Sequence, residues 1–200
     1  MKLYLNKTSP YARLVLVVAH EKSLQDEIEP VWTDPWAEAA GLKAVNPYSK
    51  VPTLIARDGE PLMESQCIVE YLDDIGGGRR LLPLEGAQRL RALRAIGLAR
   101  GLMDAAFGVV IDRRFHGGTP DSALAARWME ALGRSLVVLE KSSATLDAAA
   151  PDLGDLTLAV GLSYVEFRLP ELSWRSRANR LATWFDRVAT RLSMRLTGPE

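Results

Sequence analysis

Lys50-Val51-Pro52-Thr53-Leu54, followed after a short interval by Glu64-Ser65, is the stretch whose reading decides this fold. Proline cannot donate to a sheet ladder, so Pro52 fits the start of a strand whose edge stays open. Residues 52–56 and 61–63 flank Arg57-Asp58-Gly59-Glu60, and apolar runs around Asp-Gly predict a β-hairpin. Ser65 is expected to cap a helix reaching about Ile75, where Gly76-Gly77-Gly78 stops it. Two readings of these residues stand side by side. One is an ordinary strand start with trans proline and a simple helix cap. The other is a cradle that holds an extended peptide by its backbone, at Val51, and by its terminal carboxylate, at Ser65.

Working back toward the N-terminus, residues 2–5 read as a short strand and Asn6 to Ser9 as a loop. Ser9-Pro10 reads as an N-cap with the favoured first-turn proline. Leu14 to Ala19 then form an apolar block suited to lying on a sheet. Residues 27–33 are expected to form a second strand interrupted by Pro30, and 34–46 an irregular or partly helical connection. The order β-α-β, then ββ, then α makes an α/β unit over residues 1–78.

Beyond a linker at residues 76–86, the texture becomes helical, and residues 86–200 are expected to form an all-α bundle. Ala92, Ala95, Ile96, Ala99, Leu102, Met103 and Ala106 recur at helical spacing, small enough for a close neighbour. Thr119-Pro120 is expected to open a helix carrying Leu124, Trp128, Leu132, Leu136 and Leu139 on one stripe. Residues 156–169 are apolar nearly all round, which places that helix at the centre of the bundle. Leu181, Trp184, Phe185, Val188 and Leu192 mark a last amphipathic helix.

The formal charge is zero, yet residues 1–85 carry nine basic and thirteen acidic groups and residues 86–200 sixteen and twelve. Nineteen of the twenty-five basic residues are Arg, spread along helices without a compact run, which argues against nucleic acid as a partner. Cys67 is the single cysteine, so an intrachain disulfide and a thiolate-rich metal cluster are both excluded. A reducing cytoplasm is the expected location. Met1 to Asn6 turns polar too soon for a signal peptide, and no apolar run has membrane-spanning length. His20 and His116 lack partners at ligand spacing, so no metal is expected. Cys67 reads as a small core residue rather than a nucleophile.

Ser9 adds chemistry to the cradle. An N-cap serine directs its hydroxyl above the first helix turn, where the N–H groups and helix dipole also point. A thiol lowered there from pKa ~8.5 to ~6.5 goes from ~3 to ~75 per cent thiolate at neutral pH. Capping alone is the other reading of the same residue. Glu64 stands where it can pair with a ligand ammonium, or be simply solvated.

Taken together, Lys2-Leu3-Tyr4, Ser9-Pro10-Tyr11-Ala12-Arg13, Asn46-Pro47, Lys50 to Leu54 and Glu64-Ser65-Gln66-Cys67-Ile68-Val69-Glu70-Tyr71-Leu72 resemble the glutathione S-transferase superfamily. Asp155-Leu156-Thr157-Leu158-Ala159 and Tyr164-Val165-Glu166-Phe167-Arg168 extend the resemblance, toward a bacterial branch, over nearly the whole chain. It implies a thioredoxin-like first domain with a cis Val51-Pro52 bond, an all-helical second domain and a homodimer. It also implies glutathione as co-substrate. By this resemblance Ser9 activates the thiol, Val51 pairs with the cysteinyl backbone, Glu64 and Ser65 hold the γ-glutamyl end, and Lys50 approaches the glycyl carboxylate. Tyr11 lines a substrate wall. From the residues themselves, Trp36, Met103, Phe107 and Phe115 have two readings, an apolar pocket for an electrophilic small molecule or, for helix residues such as Met103, core packing; Arg113 and Arg114 either favour an anionic co-substrate or are simply solvated.

Two departures stand out. The family's buried capping box begins with Ser or Thr, whereas this chain has Asp152, still a competent cap. Some branches activate the thiol with Tyr, and others carry Cys where Ser9 stands; the hydroxyl argues against a resident redox thiol. The rival reading is a non-catalytic regulator of the same architecture. A glutathione-dependent isomerase or dehalogenase differs only in co-substrate.

Overall fold

The structure is a computed structural model describing all residues except Glu38, 117–121 and Glu200. It divides into two compact units, Met1–Leu82 with Leu192–Glu200, and Pro83–Arg191.

In the first unit the described residues form a four-stranded sheet of order β2-β1-β3-β4. Strand β1 (Lys2–Leu5) alternates exposed and buried, with Leu3 and Leu5 in the core. Helix α1 (Pro10–Glu21) carries the chain to β2 (Glu29–Trp32), which pairs parallel with β1. Pro30 is tolerated because β2 is an edge strand, whose outer face needs no donor. After α2 (Ala40–Val45), β3 (Thr53–Ile55) pairs antiparallel with β1 and with β4 (Pro61–Met63). The hairpin turns on Gly59 at φ +89°, a conformation that favours glycine.

Helix α3 (Ser65–Ile75) packs beside α1 and ends at Gly76. A Cβ on Gly76 would sit 2.6 Å from the Lys22 Cβ, so only glycine lets the two segments approach. The Lys22 ammonium is buried there, 3.0 Å from Asp73 and 2.9 Å from the Arg79 carbonyl. Asp73 also accepts from the amides of Leu81 and Leu82, at 2.8 and 2.9 Å. The expected linker is therefore tied down as far as Leu82, which moves the boundary of the first unit beyond residue 78.

The C-terminus requires a second correction. Residues 86–200 do not form one unit, because α9 (Leu192–Leu196) belongs with the first. The buried Arg13 guanidinium donates to the Met194 carbonyl at 3.2 Å and to Thr197 Oγ1 at 3.4 Å, and Ser193 Oγ donates to Glu21 at 2.5 Å. Burial lowers the Arg13 pKa to about 10. Leu192 is 64% exposed and lies outside the preceding amphipathic helix.

The second unit is built around α6 (Leu153–Arg168), buried throughout its first ten residues. It lies against α4 (Gly86–Phe115) at two glycines that let the helices approach closely. A Cβ on Gly154 would fall 2.6 Å from the Ala95 Cβ, and one on Gly161 would fall 3.1 Å from the Met103 Cγ. Helix α5 (Ala123–Ser142) starts from Ser122, whose hydroxyl accepts the Ala125 amide at 3.1 Å; the expected opening at Thr119-Pro120 lies outside the described residues. Leu124 is 53% exposed rather than on the buried stripe. Two further helices, α7 (Trp174–Arg177) and α8 (Asn179–Ala189), complete the unit, α8 burying Leu181, Trp184, Phe185 and Val188.

Asp152 does initiate α6. Its carboxylate accepts the Asp155 amide at 3.0 Å while Asp155 accepts the Asp152 amide at 3.1 Å, a reciprocal capping box. Arg91 of α4 pairs with Asp152 and lies 3.7 Å from Asp155.

Candidate active site

Strand register gathers the sequence-predicted residues of the first unit. Tyr4 lies opposite Thr53 and Thr53 opposite Met63, so β1 ends, β3 begins and β4 ends on the same side of the sheet. The loop to Ser9, the Val51-Pro52 step and the Glu64-Ser65 step all emerge there. The parallel pairing of Leu5 with Trp32 brings the segment leading to Trp36 to that side too. Helices α1 and α3 both start from it, so two partial positive charges converge where an anion would sit.

Ser9 is the N-cap of α1, half-buried, and its Oγ accepts the Ala12 amide at 3.2 Å. That bond uses an acceptor lone pair, and the hydroxyl proton remains able to donate outward. Tyr11 is half-buried in the same helix turn, and Trp36 is exposed with its amide bonded to Asp34 Oδ1 at 2.9 Å.

The Val51-Pro52 bond is cis. Val51 is half-buried, and its amide and carbonyl hydrogen-bond to none of the described residues. Lys50 next to it has an exposed side chain but an anchored carbonyl, which accepts from Asn46 Nδ2 at 3.1 Å and Thr53 Oγ1 at 2.8 Å. Asn46 Nδ2 also donates to Thr53 Oγ1 at 2.8 Å, and Asn46 Oδ1 accepts the Tyr48 amide at 2.9 Å. Asn46 and Thr53 are 2% and 0% exposed. Sequence alone assigns neither residue a role; their signal is an Asx-turn residue before proline and a hydroxyl at the strand start.

Ser65 is not itself the cap of α3. Glu64 holds that position at φ +66°, ψ 121°, and Ser65 is the first helical residue, 2% exposed. The first helical bond into α3 runs from the Ile68 amide to the Glu64 carbonyl at 3.0 Å, so the amides of the first turn face out of the end of the helix. A positive φ in a non-glycine residue stores backbone strain, and Glu64 carries it at the turn between hairpin and helix. Cys67 is exposed, so the expected core placement does not hold: it lies on the outer face of the first turn of α3.

Met103, Phe107 and Arg114 lie on α4 of the second unit. Met103 has no exposed surface and sits beside Gly161, which makes it a packing residue of the bundle rather than an accessible wall. Phe107 and Arg114 are exposed. Arg113 is engaged with Glu171 at 2.7 Å. Among the described residues, no group of three or more His, Cys, Asp or Glu is placed to hold a metal ion, and no helix is long and apolar enough to cross a membrane.

Comparison with known proteins gives a consistent result. Residues 8–75 match the glutathione S-transferase N-terminal domain and residues 122–187 its C-terminal domain. A glutathione transferase family member from Pseudomonas fluorescens Pf-5, solved with bound glutathione, is 32% identical at a TM-score of 0.89, covering 100% of this chain and 98% of that one. The uncharacterized GST-like protein YibF of Escherichia coli K12 is 28% identical over 100% of this chain and 98% of its own. A stringent starvation protein A homolog from Pasteurella multocida is 38% identical over 47% of this chain and 45% of its own.

Proposed function

Because the chain belongs to the glutathione S-transferase superfamily, we propose that it is an active transferase that makes glutathione anionic beside Ser9 and directs it at an electrophile. Val51 pairs through its amide and carbonyl with the cysteinyl backbone. Ser65 and the first amides of α3 receive the γ-glutamyl carboxylate, Glu64 takes its ammonium, and Lys50 takes the glycyl carboxylate. Ser9 donates its hydroxyl proton to the sulfur, and the start of α1 adds its dipole. The thiolate attacks an electrophilic carbon, forming the C–S bond as the leaving group departs with the bonding pair. Tyr11 and Trp36 offer apolar surface to that co-substrate. Glutathione supplies the nucleophile, and the protein supplies position and anion stabilisation.

One observation carries this reading: Val51 has a backbone edge with no partner among the described residues, on the side of the sheet where two helices begin. Family membership further supports a cytoplasmic homodimer. Retention on immobilised glutathione followed by conjugation of a generic aryl halide tests the proposal, and binding without turnover would sink the catalytic half of it. A second reading is a non-catalytic regulator of the same architecture, and the partial match to a stringent starvation protein A homolog keeps a relative not named as a transferase beside the first reading. Such a regulator would keep its fold and any partner after Ser9→Ala.

A further inference from the structure

We infer that Asn46 and Thr53 are positioning residues that aim the Val51 amide at the ligand. This rests on the assignment of Val51 as a ligand-binding edge made above. The Lys50–Val51 peptide is trans, the cis bond being the next one. In a planar trans unit the carbonyl and the N–H point in opposite directions. The Lys50 carbonyl is drawn toward the buried pair, held by Thr53 Oγ1 at 2.8 Å and Asn46 Nδ2 at 3.1 Å. The Val51 N–H on the same rigid plane is therefore turned away from Asn46 and Thr53, and it meets no partner among the described residues.

The clamp is closed on itself. Both protons of Asn46 Nδ2 are used, on Lys50 and Thr53; Asn46 Oδ1 takes the Tyr48 amide, and the Asn46 carbonyl takes the Ser49 amide at 2.9 Å. Thr53 Oγ1 accepts from Asn46 and donates to Lys50, which fixes the direction of its only proton. A satisfied buried network of this kind specifies one geometry. It holds the peptide plane before any ligand arrives, so binding need not order it.

Thr53→Val removes the hydroxyl at nearly constant volume, and Thr53→Ser keeps it. Without ligand, the nitrogen-relaxation order parameter of the Val51 amide is expected to fall from about 0.85 to below about 0.6 in Thr53→Val. Leu54 should stay rigid, and Thr53→Ser should match the wild type. An unchanged Val51 in Thr53→Val overturns the clamp whatever the ligand proves to be. On titration with reduced glutathione, Thr53→Val should bind about tenfold more weakly, the effect of one mis-aimed hydrogen bond, and Thr53→Ser within about twofold. The pKa of bound thiol, followed by thiolate absorbance, should not move, because Ser9 lies on α1. Equal affinity in a variant with a mobile Val51 overturns the positioning role. A wild type that takes up no glutathione at millimolar levels overturns the ligand assignment instead and leaves the relaxation test standing. Thr53→Ala, which lacks the same hydroxyl, serves if Thr53→Val does not fold.

Discussion

Ser9 is asked to do two things with one oxygen, and single substitutions can separate them. Its lone pair caps α1, and its proton is available to a thiolate. Ser9→Ala loses both, at about 1 kcal/mol of stability, and should return the bound thiol toward its free pKa. Ser9→Asp keeps a competent cap but faces the sulfur with a carboxylate. Its melting temperature should stay near that of the wild type while thiolate absorbance at neutral pH disappears; thiolate surviving in Ser9→Asp would refute the role given to Ser9. A second contrast comes from two strained residues. Ser49 has φ +50° and a buried hydroxyl with no hydrogen-bond partner among the described residues, and Glu64 has φ +66°. Glycine relaxes such a conformation, so Ser49→Gly should gain about 1 kcal/mol in denaturant unfolding and leave glutathione affinity unchanged. Glu64→Gly relaxes the same kind of strain but removes the carboxylate assigned to the ligand ammonium. It should be no less stable than the wild type and bind glutathione at least tenfold more weakly, which isothermal titration would measure.

At the scale of elements, the start of α6 is a buried acid pair with one cation nearby. Burial, reinforced by the neighbouring charge of Asp152, raises the Asp155 pKa from 3.8 to about 6. Between about pH 4 and pH 6 the folded chain therefore holds a proton that the unfolded chain has lost. Proton uptake by the folded state means that this group's contribution to stability falls as pH rises through that window and levels off above it. Integrated over the shift, the loss is of the order of 3 kcal/mol. Asp155→Asn cannot titrate, so the difference in unfolding free energy between wild type and variant should slope across pH 4 to 6 and be flat above about pH 7. A flat difference throughout would mean that Asp155 is ionised at the bottom of the window too.

At the scale of the whole molecule, what the sequence made legible depended on how local each signal was. The hairpin, the α1 cap and the all-round apolarity of α6 are written in contiguous residues, and all three appear in the structure. The gathering of Ser9, Val51 and Ser65 needed one further step, the strand register, which alternation within each strand constrains. Asn46 and Thr53 were visible only as letters, because a clamp on a carbonyl is a property of three-dimensional contact. The place of the C-terminus was not legible at all. An amphipathic pattern tells which face is apolar but not what covers it, and Leu192 continued the periodicity of α8 while standing exposed in another element. The fastening is instead polar: Arg13 to Met194 and Thr197, and Ser193 to Glu21. Deleting residues 192–200 should therefore leave the Arg13 guanidinium in a buried site without these acceptors, a loss of about 3 kcal/mol or more. The damage should fall on the first unit. Hydrogen exchange is expected to show α1 amides losing protection while α6 amides, in the second unit, keep theirs until global unfolding. Equal loss in α1 and α6 would mean that the C-terminal segment supports the chain as a whole rather than the unit that Arg13 anchors.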